Sequence, residues 1–447
     1  MSGVNAPILK TKFYKPKTRP NLLHRPHLIE RLQNGRSGKL TLLTAPAGFG
    51  KSTLVTQWLE GDTAVAWFSL DETDNDLLYF WRYMIGALQT IDPKLGVAVD
   101  AQLQDLQSPD IKPLIIQLMN EIAESELSLI LVLDDFHAIS EFSRFILASM
   151  DYFLTNLPRN LHLVITSRIQ LPFSITKIQA KGQVNEFSIT DLRFSLAETT
   201  CFLNEQIGLE LSQNDILTLH NRVEGWMSAL QLAAISLEKH PRVQRSQWIT
   251  QFSGRNRYLV DFWAEDIVAR LPRNLQVFLL RTAVCDRFCA PLADALMAGN
   301  LEPISQKPAQ ELIAMLEKQN LFLIPLDEER NWYRYHPLFA DYLRQRVRKQ
   351  HPQWLTELQT ILSAWDGPAA NRITNKQTGV NRRETNLTER EQEMLRLIAA
   401  GFSNKEIGHQ LVVSLNTVRY HSKNLYRKLG VRSRTQAVAR AHQMNLI

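Results

Sequence analysis

The spacing of apolar residues along this 447-residue chain changes twice, and each change predicts a change of architecture. In the first part, short apolar runs at 40–43 (LTLL), 65–70 (VAWFSL), 129–133 (LILVL) and 161–165 (LHLVI) read as strands buried on both faces. Helical patterns such as the aromatic-rich 77–88 lie between them, so the expected fold is α/β, a doubly wound parallel sheet ending near Phe194. Ahead of the first strand, residues 1–35 are proline-punctuated, with one short helical pattern after Arg25-Pro26. From Ser195 onward the apolar spacing becomes three and four, which predicts helices, interrupted at Gly225-Trp226-Met227. Further helices are expected near 260–271, 273–283, 290–298 and 309–319, then strands at 321–326 and 332–335 joined by a DEER turn, then a helix from Pro337. Helices closed by a hairpin describe a winged helix. Residues 366–386 are polar and aperiodic and read as a linker. Beyond it, Thr388, Ser403, Ser414 and Ser433 each stand where a helix cap belongs, which predicts a four-helix, helix-turn-helix domain. The expected division is 1–194, 195–259, 260–365, linker 366–386 and 387–447.

The first strand runs into Ala45-Pro46-Ala47-Gly48-Phe49-Gly50-Lys51-Ser52-Thr53, a glycine-bearing loop opening a helix. Such a loop points backbone N–H groups and a helix N-terminus at a phosphate, Lys51 adds a positive charge, and the Ser52 hydroxyl is placed to ligate Mg²⁺. The general motif begins with Gly, and Ala45 stands there instead. Two acids end the most apolar strand: Asp134 is expected in the Mg²⁺ shell and Asp135 beside an attacking water. Arg168 follows the next strand, where a guanidinium can distinguish a triphosphate from a diphosphate by charge; a plain salt bridge is the other reading. Arg25 is a candidate contact to the base, with a solvated turn equally open, and His137 is given only a surface or capping role.

Charge sharpens the picture at one end only. The net +6 of the chain is carried entirely by residues 387–447, which hold ten Lys/Arg against four Asp/Glu. Between Ser414 and Arg440 there are seven Lys/Arg and no acid, with Leu415, Val418, Leu425 and Leu429 on the opposite helix face. That predicts an anionic partner, double-stranded DNA: Arg419, Tyr420 and Lys423 reading bases beside Asn416, with Thr417, Lys428, Arg432 and Arg434 holding phosphates. Three cysteines, Cys201, Cys285 and Cys289, are too few for a disulfide framework and lack the partners of a zinc site. The start of the chain has no signal-like apolar core, and no apolar run approaches a membrane span, so a cytoplasmic protein is expected.

Residues 7–350, through TAPAGFGKSTL, WFSLDETDND, LVLDDFH, VITSR, EGWMSALQLA and YRYHPLFADYLR, resemble the ATPase core of the MalT-like large regulators, a branch of the STAND signal-transduction ATPases. Residues 387–441 resemble the LuxR-type DNA-binding domain over its whole length. The resemblance implies ATP and ADP as ligands, a small residue such as Ala45 at the head of the loop, and a resting form in which His336 touches the β-phosphate. It also implies assembly into homo-oligomers on binding ATP, contact with promoter DNA and RNA polymerase, and at most a slow hydrolysis that resets the switch. Met227 departs from the proline usual in the Gly-Trp-Pro motif. About 35 residues separate the winged helix from the DNA-binding domain, too few for two helical repeats of about 34, so the family's inducer-binding sensor is expected to be missing. Two other functions fit the same modules: a DNA-dependent ATPase of the loader or remodeller kind, and a signal-independent DNA-binding protein with a relic ATPase core.

Overall fold

The computed structural model describes residues 7–17, 22–104, 110–298 and 307–365, with isolated positions between 395 and 422. The expected helix-turn-helix and its eight DNA-contacting residues lie outside the described residues. The chain divides into two compact units, 1–373 and 374–447.

Within the first unit the five strands are β1 Leu40–Thr44, β2 Val65–Ser69, β3 Leu129–Asp134, β4 Leu161–Ser167 and β5 Val184–Phe187, all parallel, in the order β2-β3-β4-β1-β5. The central three are apolar along nearly their whole length because helices cover both faces. Leu40, Leu42, Leu131, Leu133, Leu163 and Ile165 pack against the helices Leu77–Leu88, Lys112–Glu124 and Arg144–Thr155. The other face, with Leu43, Ile130, Val132, Val164 and Phe187, belongs to a core that continues through the C-terminal helices as far as Trp354 and Leu362. One polar pair crosses this sheet: the Thr41 hydroxyl and His162 Nε2 lie 2.9 Å apart, while His162 Nδ1 meets the Gly38 carbonyl at 2.9 Å.

β4 stands between β1 and β3, pairing Leu43 with Thr166 and Leu133 with Ile165. This register brings the ends of three strands to one edge: the loop after Thr44, Asp134 on β3, and Ser167-Arg168 after β4. β5 is not foreshadowed by any apolar run. It is an edge strand, VNEF, whose Glu186 is exposed and whose Phe187 alone is fully buried, so its composition is half polar.

Helices then run Leu196–Thr200, continuing as a π-helical turn Cys201–Gln206, and Gln213–Val223 and Met227–Glu238. Glu224 and Gly225 both take left-handed backbone angles, which breaks the helix and turns Trp226 inward. The expected helix 260–271 is instead Arg257–Asp266 followed by a short 3-10 turn, because Ile267 leaves helical geometry before Pro272. Helices Arg273–Thr282, Ala290–Ala298 and Ala309–Lys318 precede the antiparallel hairpin β6 Leu323–Pro325 and β7 Tyr333–Tyr335, and the helix Pro337–Gln350 closes the winged helix. A further helix, Pro352–Ala364, packs Trp354, Leu358 and Leu362 against it. Among the described residues, Cys285 and Cys289 are free and buried, and no helix is long and apolar enough to cross a membrane.

Candidate functional site: a phosphate loop under a helical lid

The loop between β1 and the helix Lys51–Trp58 is shaped by two glycines. Gly48 and Gly50 sit at φ +81° and +77°, angles that cost an L side chain strain. At Gly48 space forbids a side chain as well: a Cβ there would lie 2.4 Å from Ser228 Oγ and 2.7 Å from Trp226 Nε1. Ala45 is buried, keeps an ordinary negative φ, and donates its N–H to the Ser167 carbonyl at 3.2 Å. The first position of the loop therefore does not need a glycine here.

Lys51 curls back onto its own loop, donating to the carbonyls of Ala45 at 2.8 Å and Pro46 at 3.1 Å. Its pKa is pushed down to about 8, chiefly by burial and also by Arg168, against the opposing pull of Asp135 and Asp134. The Ser52 hydroxyl donates to Asp134 Oδ1 at 2.7 Å, and the Thr166 hydroxyl donates to the same oxygen at 2.6 Å. Burial, followed by the neighbouring Asp135, holds the Asp134 carboxyl above the usual carboxylate range. Thr166 Oγ1 also accepts the Asp135 N–H at 3.0 Å, fixing a left-handed backbone at Asp135 (φ +60°) that swings its side chain out of the sheet.

Two clefts, each of about 690 Å³, open on either side of this assembly and share Ala47, Asp135 and Arg168. The loop cleft is lined by Gly48, Gly50, Lys51, Ser52 and Thr53, by Met227, Ser228 and Gln231 of the helical segment, and by Pro16, Lys17 and Leu22 of the N-terminal arm. The second cleft lies between Asp71–Thr73, His137 and the winged-helix residues Arg270, Asn320 and Phe322. The Asn320 side chain donates to the Arg168 carbonyl at 2.9 Å, so the winged helix holds the tip of β4 directly.

Sequence reasoning missed the grip of the helical segment on the loop. The Trp226 indole N–H donates to the Ala47 carbonyl at 3.1 Å, and the Ser228 N–H donates to the Gly48 carbonyl at 3.0 Å. The indole is fully buried, stacked on Trp263 at 5.5 Å and Phe49 at 6.5 Å, with Phe322 and His336 edge-on at 5.2 and 5.9 Å. The Gly-Trp dipeptide between two helices was the only signal for it.

Two candidate ligand contacts, Arg25 and His336, have protein partners in this structure. Arg25 does not line the loop cleft; its guanidinium pairs with Glu198 at 2.7 Å, donates to the carbonyls of Leu192 and Arg193, and lies over Phe194. It pins the end of the α/β region to the first helix of the lid. His336 is likewise absent from the cleft lining: it meets the Val223 carbonyl through Nε2 at 2.9 Å, behind Trp226. Burial lowers its pKa to about 4, so a neutral imidazole sits in an aromatic cage and bears on the loop through the indole.

A parallel sheet, a loop ending in Lys51-Ser52 and an acid on the next strand but one define a P-loop nucleotide-binding domain, here covered by helical and winged-helix segments. Residues 264–355 match the MalT winged helix domain, and residues 385–441 match the luxR family of bacterial regulatory proteins. The chain is 31% identical over 352 residues to the HTH-type transcriptional regulators MalT of Yersinia enterocolitica and Yersinia pestis, an alignment covering 78% of this chain and 38% of theirs. The chain thus carries a segment similar to the MalT winged helix domain and one similar to the luxR family, and it spans under two fifths of the length of these relatives. Among solved structures, a STAND protein with a tetratricopeptide repeat sensor from Pyrococcus horikoshii superposes at a TM-score of 0.40 and 13% identity, covering 99% of this chain and 56% of that one. The ORC1 protein of Aeropyrum pernix in complex with DNA superposes at 0.40 and 12%, covering 76% and 95%.

Lys51 sets a pH dependence. An ammonium whose pKa is about 8 in the free protein will be driven back to full protonation by a phosphate chain, so ligand binding between pH 8 and 10 will take up a proton. Affinity will fall with rising pH across that window, by up to about tenfold per unit. Calorimetry in buffers of differing ionisation heat measures the uptake. The free protein's stability has the opposite sign: the unfolded chain holds the Lys51 proton to about pH 10.5, so stability rises between pH 8 and 10.5.

Proposed function

We propose that this chain is an ATP-dependent transcriptional regulator that presents its luxR-type domain to promoter DNA in an oligomer assembled on ATP. The single observation that carries the reading is the pair of hydrogen bonds from Trp226 and Ser228 to the phosphate-loop carbonyls. They make the position of the lid depend on the shape of the loop, and the shape of the loop depends on what phosphate it holds.

ATP or ADP would lie in the loop cleft, its phosphates on the N–H groups of residues 48–53 and on Lys51. The converging oxygens of Ser52 and Asp134 suit Mg²⁺, with phosphate and water oxygens completing its shell. No group of three or more His, Cys, Asp or Glu suited to a metal exists among the described residues, which fits an ion that arrives with the nucleotide. Arg168 would meet the γ-phosphate from the end of β4. Its backbone is held by Asn320, so attraction of Arg168 toward a third phosphate is felt by the winged helix. Trading ADP for ATP then favours the released lid by the difference in binding energy between the two arrangements. The released surface would bind a second copy, and tethered DNA-binding domains gain affinity through their effective concentration. Asn416, Arg419, Tyr420 and Lys423 would read bases in the major groove, while Thr417, Lys428, Arg432 and Arg434 hold phosphates. RNA polymerase is the expected downstream partner, and hydrolysis the reset.

The test is affinity for a cognate promoter fragment with ADP and with a non-hydrolysable ATP analogue. The reading predicts binding at least about tenfold tighter with the analogue; equal affinities would discard the switch.

A further inference from the structure

His137 has no part in the reading so far, yet the fold spends a strained backbone on placing it. After Asp134 the chain passes through the left-handed angle at Asp135 and a short 3-10 turn, Phe136–Ala138, which folds the imidazole back toward the preceding carboxylate. Nδ1 of His137 lies 3.5 Å from Asp135 Oδ1. That nitrogen is buried and without a hydrogen-bond partner, while the Asp135 carboxylate is 42% exposed and lines both clefts. A buried polar atom left unmatched costs stability unless a small movement supplies its partner, and a side-chain rotation would bring in the Asp135 oxygen 3.5 Å away. Burial first, then Arg168, Lys51 and Arg270, depress the His137 pKa to about 4, against the pull of Asp135. The ring is therefore neutral near pH 7, with one N–H to give.

We propose that His137 is a positioning residue for nucleoside triphosphate hydrolysis: its Nδ1–H turns the Asp135 carboxylate toward a water that enters through the second cleft. The inference rests on the assignment of the loop cleft to ATP. In the step itself the water oxygen forms a bond to the γ-phosphorus. The bond from that phosphorus to the β,γ-bridging oxygen breaks, and its electron pair leaves with the diphosphate. Asp135 accepts the proton of the water and returns it to the departing phosphate. Asp135 touches the water and is the catalytic residue; His137 acts only through it. The second cleft suits the water because its lining joins the phosphate-loop residues Pro46 and Ala47 to Asp135 and His137.

The experiment uses the full chain with Mg²⁺ and ATP, measuring binding with a fluorescent ATP analogue and turnover under saturating ATP. H137F fills the same space without an N–H, and H137N returns an N–H near the position of Nδ1. Expected are a fall in kcat of about 10- to 100-fold for H137F with KM unchanged, and recovery to within about threefold of the parent for H137N. Adding H137F to D135N will cause no further loss, because His137 acts only through Asp135. Parental kcat in H137F, a rise in KM alone, or losses that multiply in the double variant would each overturn the role of His137 and leave nucleotide binding standing. A parent chain that binds no ATP would overturn the assignment of the cleft itself, and one that binds ATP without turning it over would overturn the hydrolytic role only.

Discussion

Replacing Lys51 with Ala will weaken nucleotide binding by at least about a hundredfold, or about 2.7 kcal/mol, while the chain keeps its fold. In the free protein Lys51 is 6% exposed and its ammonium donors are turned onto the Ala45 and Pro46 carbonyls. A phosphate chain offers stronger, charge-assisted partners, each worth about 1.5–3 kcal/mol. Removing the side chain forfeits those bonds. Its loss in the free protein is softened because a poorly solvated charge, with its pKa already down to about 8, goes with it. Titration with a fluorescent nucleotide checks the first statement, and a thermal melt the second. The same variant separates a switch from a relic: promoter activity lost with Lys51 supports regulation by nucleotide, and unchanged activity supports a DNA-binding protein indifferent to its ATPase core.

Trp226→Ala will destabilise the first compact unit by about 3–5 kcal/mol. The indole is wholly buried where the loop, the helical segment and the winged helix meet, in ring contact with Phe49, Trp263, Phe322 and His336. Truncation leaves a cavity among aromatics held by different parts of the chain, which cannot all close over it. Trp226→Phe keeps most of the packing and removes the bond to the Ala47 carbonyl, at a cost of about 1 kcal/mol. Denaturant midpoints will order the three proteins. If the phenylalanine variant also exchanges bound nucleotide faster than the parent, the indole hydrogen bond, and not bulk, is what holds the lid to the loop.

The parts of this molecule that were legible in the sequence are those whose physics is local. Leu129–Asp134 announces a buried strand because nothing polar interrupts it before the acid, and Gly48, Gly50 and Lys51 announce a phosphate loop because backbone freedom and charge fall at fixed offsets. The DEER turn between two short apolar runs gave the hairpin Leu323–Pro325 with Tyr333–Tyr335 to within two residues at each end. β5 escaped because an edge strand with a solvated side carries no apolar run. The protein partners of Arg25 and His336 were not legible for a different reason. A lone Arg or His declares what it can bind, not which of several carbonyls and carboxylates the fold will bring to it, and Glu198 and Val223 stand more than 100 positions away from their respective partners. His137 looked like a surface residue because only the left-handed turn at Asp135 folds it back.

The most direct measurement is the mass of the full chain in solution, at one protein concentration, with saturating ADP and then with a non-hydrolysable ATP analogue. A lid held to the phosphate loop by Trp226 and Ser228 and released by a third phosphate predicts a monomer with ADP and an oligomer with the analogue. The same mass in both nucleotides would contradict it.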